Sequence, residues 1–244
     1  MLHLTDPHLF AAADGSLRGR VTYETLLNVL QHFKDSNWLA DHVQVTGDLI
    51  QDDSPGAYRR FCNTMATVGL PVYCVPGNHD IRNIMREALQ NEPFHYCGTL
   101  QSGNWLIAGV DSCMEGSAAG HIDDHELNRL GRLIETTRAA HVMVSLHHPP
   151  LPVGSRWLDE LILQNREQFL ERITGSPKVK LVVFGHVHQA FDGNYRSARI
   201  IGTPSTCRQF ALHSDSFALD DKPPAYRRLE LRADGRVGTE LVWI

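Results

Sequence analysis

The 244-residue chain contains no apolar run approaching the roughly 20 residues that cross a bilayer, and no basic-flanked apolar leader opens it. It also lacks a basic excess. Its 23 Lys and Arg stand against 28 Asp and Glu, a net charge of -5. That balance argues against general nucleic-acid binding, which needs positive charge to neutralise phosphates. No CxxC pair is present. The five cysteines (Cys62, Cys74, Cys97, Cys113 and Cys207) are scattered and odd in number. They read as reduced thiols of a cytoplasmic protein, not as a disulfide scaffold. Repeats, low-complexity blocks and domain boundaries are missing too. A single domain over residues 1–244 is expected, with 193–224 forming loops over the active-site edge and 225–244 a C-terminal β-hairpin.

Histidine is what the chain has in excess, 14 in all. Several stand where short Val- and Leu-rich runs stop. "LHLTD" ends at Asp6 with His8 just beyond. "HVQVTGD" ends at Asp48, "PVYCVPGNHD" at Asn78, His79 and Asp80, "HVMVSLHHPP" at His147 and His148, and "VKLVVFGHVH" at His186 and His188. Such runs suit buried strands. Amphipathic segments lie between them. Residues 22–36 have Leu26, Leu27, Leu30 and Phe33 at helical spacing, with Thr22 as the expected N-cap. Ser54 and Pro55 open a second helix that Gly69 closes. Residues 81–91, 125–138 and a continuous helix over 159–174 complete the set. This alternation predicts a layered α/β or α+β fold. In open α/β sheets, ligands bind outside the carboxyl ends of the strands, which is where every cluster falls.

The donor types narrow the chemistry. Asp6, His8, Asp48, Asn78, His147, His186 and His188 are too many for one tetrahedral ion, and imidazoles favour transition metals over calcium or magnesium. Two ions sharing a carboxylate would use them all, an arrangement suited to displacement at phosphorus. Gly47, Gly77 and Gly185 each precede a cluster. They either let the backbone approach the site closely or simply end strands.

The series D-x-H, G-D, G-N-H-D, H-H and G-H-x-H resembles the calcineurin-like metallophosphoesterase superfamily over essentially the whole chain. The segments "TGDLIQD", "HHPPLPVGSRWLD" and "TPSTCRQF" look like its bacterial class III cyclic-nucleotide phosphodiesterases. The resemblance implies a four-layer αββα sandwich. Asp6, His8 and His188 would bind one metal, Asn78, His147 and His186 the other, and Asp48 would bridge. The metals implied are iron with manganese or zinc, with manganese supporting activity in isolated protein. The implied reaction is hydrolysis of 3′,5′-cyclic AMP to 5′-AMP by a hydroxide held between the metals. His79 would act as general acid and Asp80 would orient it. Substrate contacts are expected from Asn78, His79, His148 and His188.

Trp157 is expected either to stack on the base or to anchor a loop, and residues 203–207 to shape the nucleotide pocket. The implied protein is a monomer or homodimer without membrane or nucleic-acid partners. Two other readings stand beside this one: a metallophosphoesterase for another nucleotide, phospholipid headgroup or phosphoprotein, and a non-catalytic scaffold keeping the fold. Because only five residues precede Asp6, the first strand is expected to be short and to hold Asp6 and His8 loosely, or else the true start lies upstream.

Overall fold

The computed structural model describes all residues, 1–244. In chain order its elements are β1 (Leu2–Leu4), β2 (Ser16–Leu17), β3 (Arg20–Val21), α1 (Thr22–Asp35), β4 (Val43–Thr46), α2 (Pro55–Ala66), β5 (Val72–Val75), α3 (Arg82–Ala88), β6 (Phe94–Tyr96), β7 (Thr99–Ser102) and β8 (Trp105–Gly109). There follow α4 (Asp124–Thr136), β9 (His141–Ser145), α5 (Arg156–Asp159), α6 (Arg166–Thr174), β10 (Val179–Phe184), β11 (Phe191–Tyr195), β12 (Ala198–Gly202), β13 (Gln209–Phe210), β14 (Leu219–Asp220), β15 (Ala225–Leu231) and β16 (Val237–Trp243).

Two six-stranded sheets result, ordered β16-β15-β1-β4-β5-β6 and β11-β12-β10-β9-β8-β7. In the first, β1, β4, β5 and β6 run parallel. In the second, β8, β9, β10 and β12 do so. Parallel strands bury both faces, so their sequences are nearly continuous in apolar residues. Alternation still sorts the side chains: Val142 and Val144 face outward to the helices, while Met143 between them faces the other sheet. Leu26, Val29, Leu30 and Phe33 of α1 pack on Val43, Val45 and Val72. Leu130 and Ile134 of α4 and Phe169 and Ile173 of α6 pack on Val142, Val144 and Val182. Each such fully buried side chain contributes about 1.5–3 kcal/mol. Met1, Trp105, Ile107, Met143, Leu181 and Val183 fill the space between the sheets. The layers are therefore helices, sheet, sheet and helices, the four-layer αββα sandwich.

Three local expectations change. Thr22 is the first residue of α1 and not its cap; Val21 takes the cap position without a side-chain bond. The expected helix over 159–174 is broken. Its middle pairs with the loop before α4: Gln164 N–H donates to the Gly120 carbonyl (2.7 Å), and Asn165 bonds both ways with the Ile122 backbone. These tertiary bonds outweigh local helix propensity. Third, residues 193–202 belong to the β11–β12 ladder, so the irregular stretch begins at Thr203. Ser54, by contrast, caps α2 by accepting from Gly56 N–H at 3.0 Å.

Strand β1 has only three residues, yet it lies inside its sheet, paired on both sides by β15 and β4. Beyond it, Asp6, His8 and Leu9 donate their N–H groups to the carbonyls of Gly47, Asp48 and Leu49 (2.9–3.1 Å). The ligand-bearing turn is thus stitched to its neighbour, and the loose anchor expected from a short strand is not found.

Candidate metal centre

The carboxyl ends of β1, β4 and β5 in one sheet and of β9 and β10 in the other deliver their polar residues to one place. Asp6, Asp48, His8, His147, His186 and His188 are all buried there, with Asn78 half-buried beside them. Four sets bring ligand atoms within 4.8 Å of one another: Asp6, His8 and His188; His147, His148 and His186; Asp6, Asp48 and His147; and His8, Asp48 and His79. Asp48 Oδ2 lies between the two halves, 3.6 Å from His8 Nε2 and 3.5 Å from His147 Nε2. The seven residues read as ligands are brought together.

The backbone is bent to achieve this. Asp6, His8, Asp48, His186 and His188 all have positive φ, between 47 and 68°. Left-handed backbone at a non-glycine residue costs about 1–3 kcal/mol, and such strain collects at functional sites. Gly47 has φ +93, and a β-carbon on it would run into the ring of His147. One on Gly77 would run into Asp48. Close approach, not strand ending alone, accounts for both glycines.

Hydrogen bonds fix which ring nitrogens face inward. His147 donates from Nδ1 to the Thr46 carbonyl (2.7 Å), and His188 from Nδ1 to the Arg208 carbonyl (2.6 Å). In the neutral rings, Nε2 then carries a lone pair. His147 Nε2 faces Asn78 Oδ1 at 3.1 Å, while His188 Nε2 faces His8 Nε2 at 3.1 Å and Asp6 Oδ1 at 3.3 Å. His186 Nδ1 also points at Asn78 Oδ1, at 3.0 Å. Lone pairs directed at lone pairs repel unless protons or metal cations lie among them, and the donor set fits bound metal ions.

Without metal the protonation pattern is mixed: His147 carries a proton that a bound ion would displace. Burial drives His8 down to about 4 and His186 to about 3, so both rings are neutral. Burial also opposes charge on His147, but Asp48, Asp6 and the Thr46 carbonyl outweigh it and raise the ring to about 9. Burial would raise the Asp48 carboxyl, yet His147, His8 and His79 hold it well below the usual range.

His79 is half-buried and lines a cavity of about 220 Å³ over the cluster. Its backbone N–H donates to Asp48 Oδ1 (2.9 Å) and its ring stands edge-on to His8, centroids 5.0 Å apart. The Gln51 side-chain nitrogen lies 3.3 Å from His79 Nδ1. Asp80, expected to orient His79, does not touch its ring. It accepts the N–H groups of Gly77 (2.9 Å) and Leu49 (3.1 and 3.2 Å) and the Tyr58 hydroxyl (3.1 Å). Asp80 therefore ties the Asp48 turn to the Asn78 turn. Burial first, and Asp48 second, push its carboxyl up to about 7.

Two more expectations are corrected. His148 is fully buried with Nδ1 2.9 Å from Ser112 Oγ, and it does not line the cavity, so a substrate contact is closed to it. Residues 203–207 are buried behind Asp6 instead of forming the pocket: Ser205 Oγ donates to the Asp6 carbonyl (2.8 Å) and Thr206 N–H to that of Thr5 (3.0 Å). Sequence reasoning missed Gln51, Ser112, Tyr58 and the cavity residues Arg18, Phe210 and Phe217. Two of them had a signal: Gln51, three residues after Asp48 in "TGDLIQD", and Phe210, which ends "TPSTCRQF".

Residues 1–190 match the calcineurin-like phosphoesterase family. The chain is 36% identical over 242 residues, 99% of its own length and 88% of the relative's, to the 3′,5′-cyclic adenosine monophosphate phosphodiesterase CpdA of Escherichia coli. It is 33% identical over 238 residues, 98% and 90% of the two lengths, to a 3′,5′-cyclic-nucleotide phosphodiesterase of Nostoc sp.. Its fold resembles that of a dimetal phosphatase from Danio rerio, with a TM-score of 0.67 across 93% of both chains; at 15% identity this is a likeness of fold. The family match takes in the five strand ends that carry the ligands, and the chain belongs to the calcineurin-like phosphoesterases, metal-dependent hydrolases that work with two ions.

Proposed function

We propose that the protein hydrolyses 3′,5′-cyclic AMP to 5′-AMP. The observation that carries the reading is Asp48 Oδ2, set between His8 and His147 at 3.6 and 3.5 Å, which suits a carboxylate shared by two ions. The names of the Escherichia coli and Nostoc relatives supply the substrate. Asp6, His8 and His188 would hold one ion and Asn78, His147 and His186 the other, and the imidazole and carboxylate mixture suits iron with manganese or zinc. When bound, two such ions acidify a water and neutralise charge on phosphoryl oxygens.

The remaining chemistry belongs to side chains. Opening the cyclic diester leaves an alkoxide at the 3′ position that needs a proton. As an imidazolium, with the Gln51 amide turned so that its oxygen accepts from Nδ1–H, His79 can deliver its Nε2 proton as a general acid. The same Gln51 contact fixes the ring's orientation. Asn78, His79 and His188 line the cavity and are the residues we assign to phosphate contact. All five cysteines are free thiols, which supports a reducing cytoplasm as the setting. No helix is long and apolar enough to cross a membrane.

The test is product analysis with the manganese-loaded protein. Cyclic AMP should disappear with stoichiometric appearance of 5′-AMP and no 3′-AMP. A two-metal protein that leaves cyclic AMP intact while cleaving another phosphodiester would overturn the reading.

A further inference from the structure

The cavity over the metal cluster has a second end that chemistry at phosphorus does not use. Phe210 lies flat on His188, ring centroids 4.3 Å apart and planes within 7°. Trp157 and Phe217 meet Phe210 edge-on at 5.2 and 5.5 Å, and each other at 5.4 Å. The three rings come from α5, β13 and the loop before β14, so no single helical or strand spacing brings them together. Leu17 and Arg18 also line the cavity, and the Arg18 guanidinium sits 4.8 Å from the Phe217 ring centroid. Phe217 is 45% exposed. Three aromatic rings gathered at a cavity rim, of which Trp157 and Phe210 rest on the core and Phe217 does not, form the kind of apolar wall that ligand pockets present. The polar side-chain atoms at this end are donors: the Arg18 guanidinium, and Trp157 Nε1 and Arg208 Nε, both enclosed without a hydrogen-bond partner.

We infer that this aromatic end is a binding subsite for the base of a nucleotide whose phosphate lies at the metal cluster. A ligand anchored there must extend past His188, and the next surfaces it meets are Phe210 and Phe217. Flat rings are matched by aromatic faces and edges. Acceptor nitrogens are matched by the unpartnered donors, and the Arg18 guanidinium can sit over a ring as it does over Phe217. A purine has both properties. A phosphocholine or phosphoethanolamine headgroup has neither a flat ring nor acceptor nitrogens. The inference rests on the phosphate-binding role proposed for the metal cluster, and it extends that role to recognition of the nucleoside that carries the phosphate.

The experiment compares 5′-AMP with ribose 5-phosphate, which keeps the phosphate and sugar and lacks the base. Binding of each to the manganese-loaded protein is measured by calorimetry. The wild type should bind 5′-AMP at least about tenfold more tightly, since stacking on an aromatic side chain is worth about 5- to 150-fold per base. Phe217→Ala should lose most of that preference while binding ribose 5-phosphate within about twofold of wild type. Arg18→Ala, an exposed position on a two-strand turn, should do the same to a smaller degree. Equal wild-type affinities for the two ligands would overturn the subsite, as would a parallel loss of both in Phe217→Ala. The outcome is separable from the proposed reaction. Preference for 5′-AMP without cyclic AMP hydrolysis retains the subsite and removes the reaction; hydrolysis without preference does the reverse.

Discussion

His147 donates its Nδ1 proton to the main-chain oxygen of Thr46, 2.7 Å away, across the gap between the two sheets. The bond joins the end of β9 to the end of β4. It also sets the ring's direction, so Nε2 points at Asn78 and Asp48 and offers them a lone pair once the ring is neutral. One hydrogen bond thus links the two sheets and sets the direction of a ligand. Below it, His3 continues the link, with Nε2 2.9 Å from Thr46 Oγ1 and Nδ1 2.8 Å from Thr203 Oγ1, and Arg227 donates to Thr203 at 3.1 Å. Burial drives His3 down to about 3, so it serves this chain as a neutral ring.

Metal loading should be coupled to proton release from His147. In the metal-free protein this ring titrates at about 9. A ligand must be neutral, so below that pH the metal displaces a proton, and affinity should fall about tenfold for each pH unit lowered. Above pH 9 the dependence should flatten. Calorimetry of manganese binding at pH 7.5, in buffers of different ionisation enthalpy, should show close to one proton released. No release would mean that His147 is already neutral.

Gly47→Ala should empty the site without unfolding the chain. The new methyl group meets the His147 ring at a backbone φ of +93, where alanine is strained. The strain costs at least about 1 kcal/mol, and relief requires His147 to swing away from Thr46. Metal content by elemental analysis should fall well below two ions per chain, while the far-ultraviolet circular dichroism stays native. Full metal occupancy in this variant would show that the turn can relax without moving His147.

The ligand set was legible because its signal is local: Asp6, Asp48, His147 and His186 each end a Val- or Leu-rich run, and parallel strands carry such ends to one edge. Layering was legible from the same alternation. What sequence could not give depends on contacts between distant segments. Asp80 adjoins His79 in the chain, yet it turns toward Tyr58, which lies 22 positions away. His148 adjoins His147, yet Ser112 and Gly120 enclose it from behind. The helix over 159–174 looked continuous because its competitor, the Gly120–Ile122 backbone, is about 40 residues upstream.

His79→Ala should lower kcat for cyclic AMP about 100- to 10,000-fold, the usual range for a lost general acid. Metal content should not change: the ring stands near His8 and Asp48, but it is not among the seven residues we assign as ligands. The loss should shrink to about tenfold or less with a bis(4-nitrophenyl) ester, whose leaving group needs no proton. Gln51→Leu should fall between wild type and His79→Ala, because the acid remains while its orienting partner is gone. Equal losses on both esters would assign His79 to binding instead.

Asp80→Asn separates the two roles that adjacency in sequence had merged. Its carboxylate accepts from Gly77, Leu49 and Tyr58, and an amide replaces one acceptor oxygen with a donor that faces those donors. Leaving a buried donor unpaired costs about 1–3 kcal/mol, so thermal stability should drop by several degrees. Because Asp80 joins the turns that carry Asp48 and Asn78, metal affinity should weaken together with stability. The acidic and basic limbs of the kcat profile should keep their positions, since Asp80 makes no contact with the His79 ring. Tyr58→Phe removes one of the same bonds and should give a smaller version of both losses. A displaced limb in Asp80→Asn, with metal affinity unchanged, would restore the direct orienting role and remove the tying role assigned here.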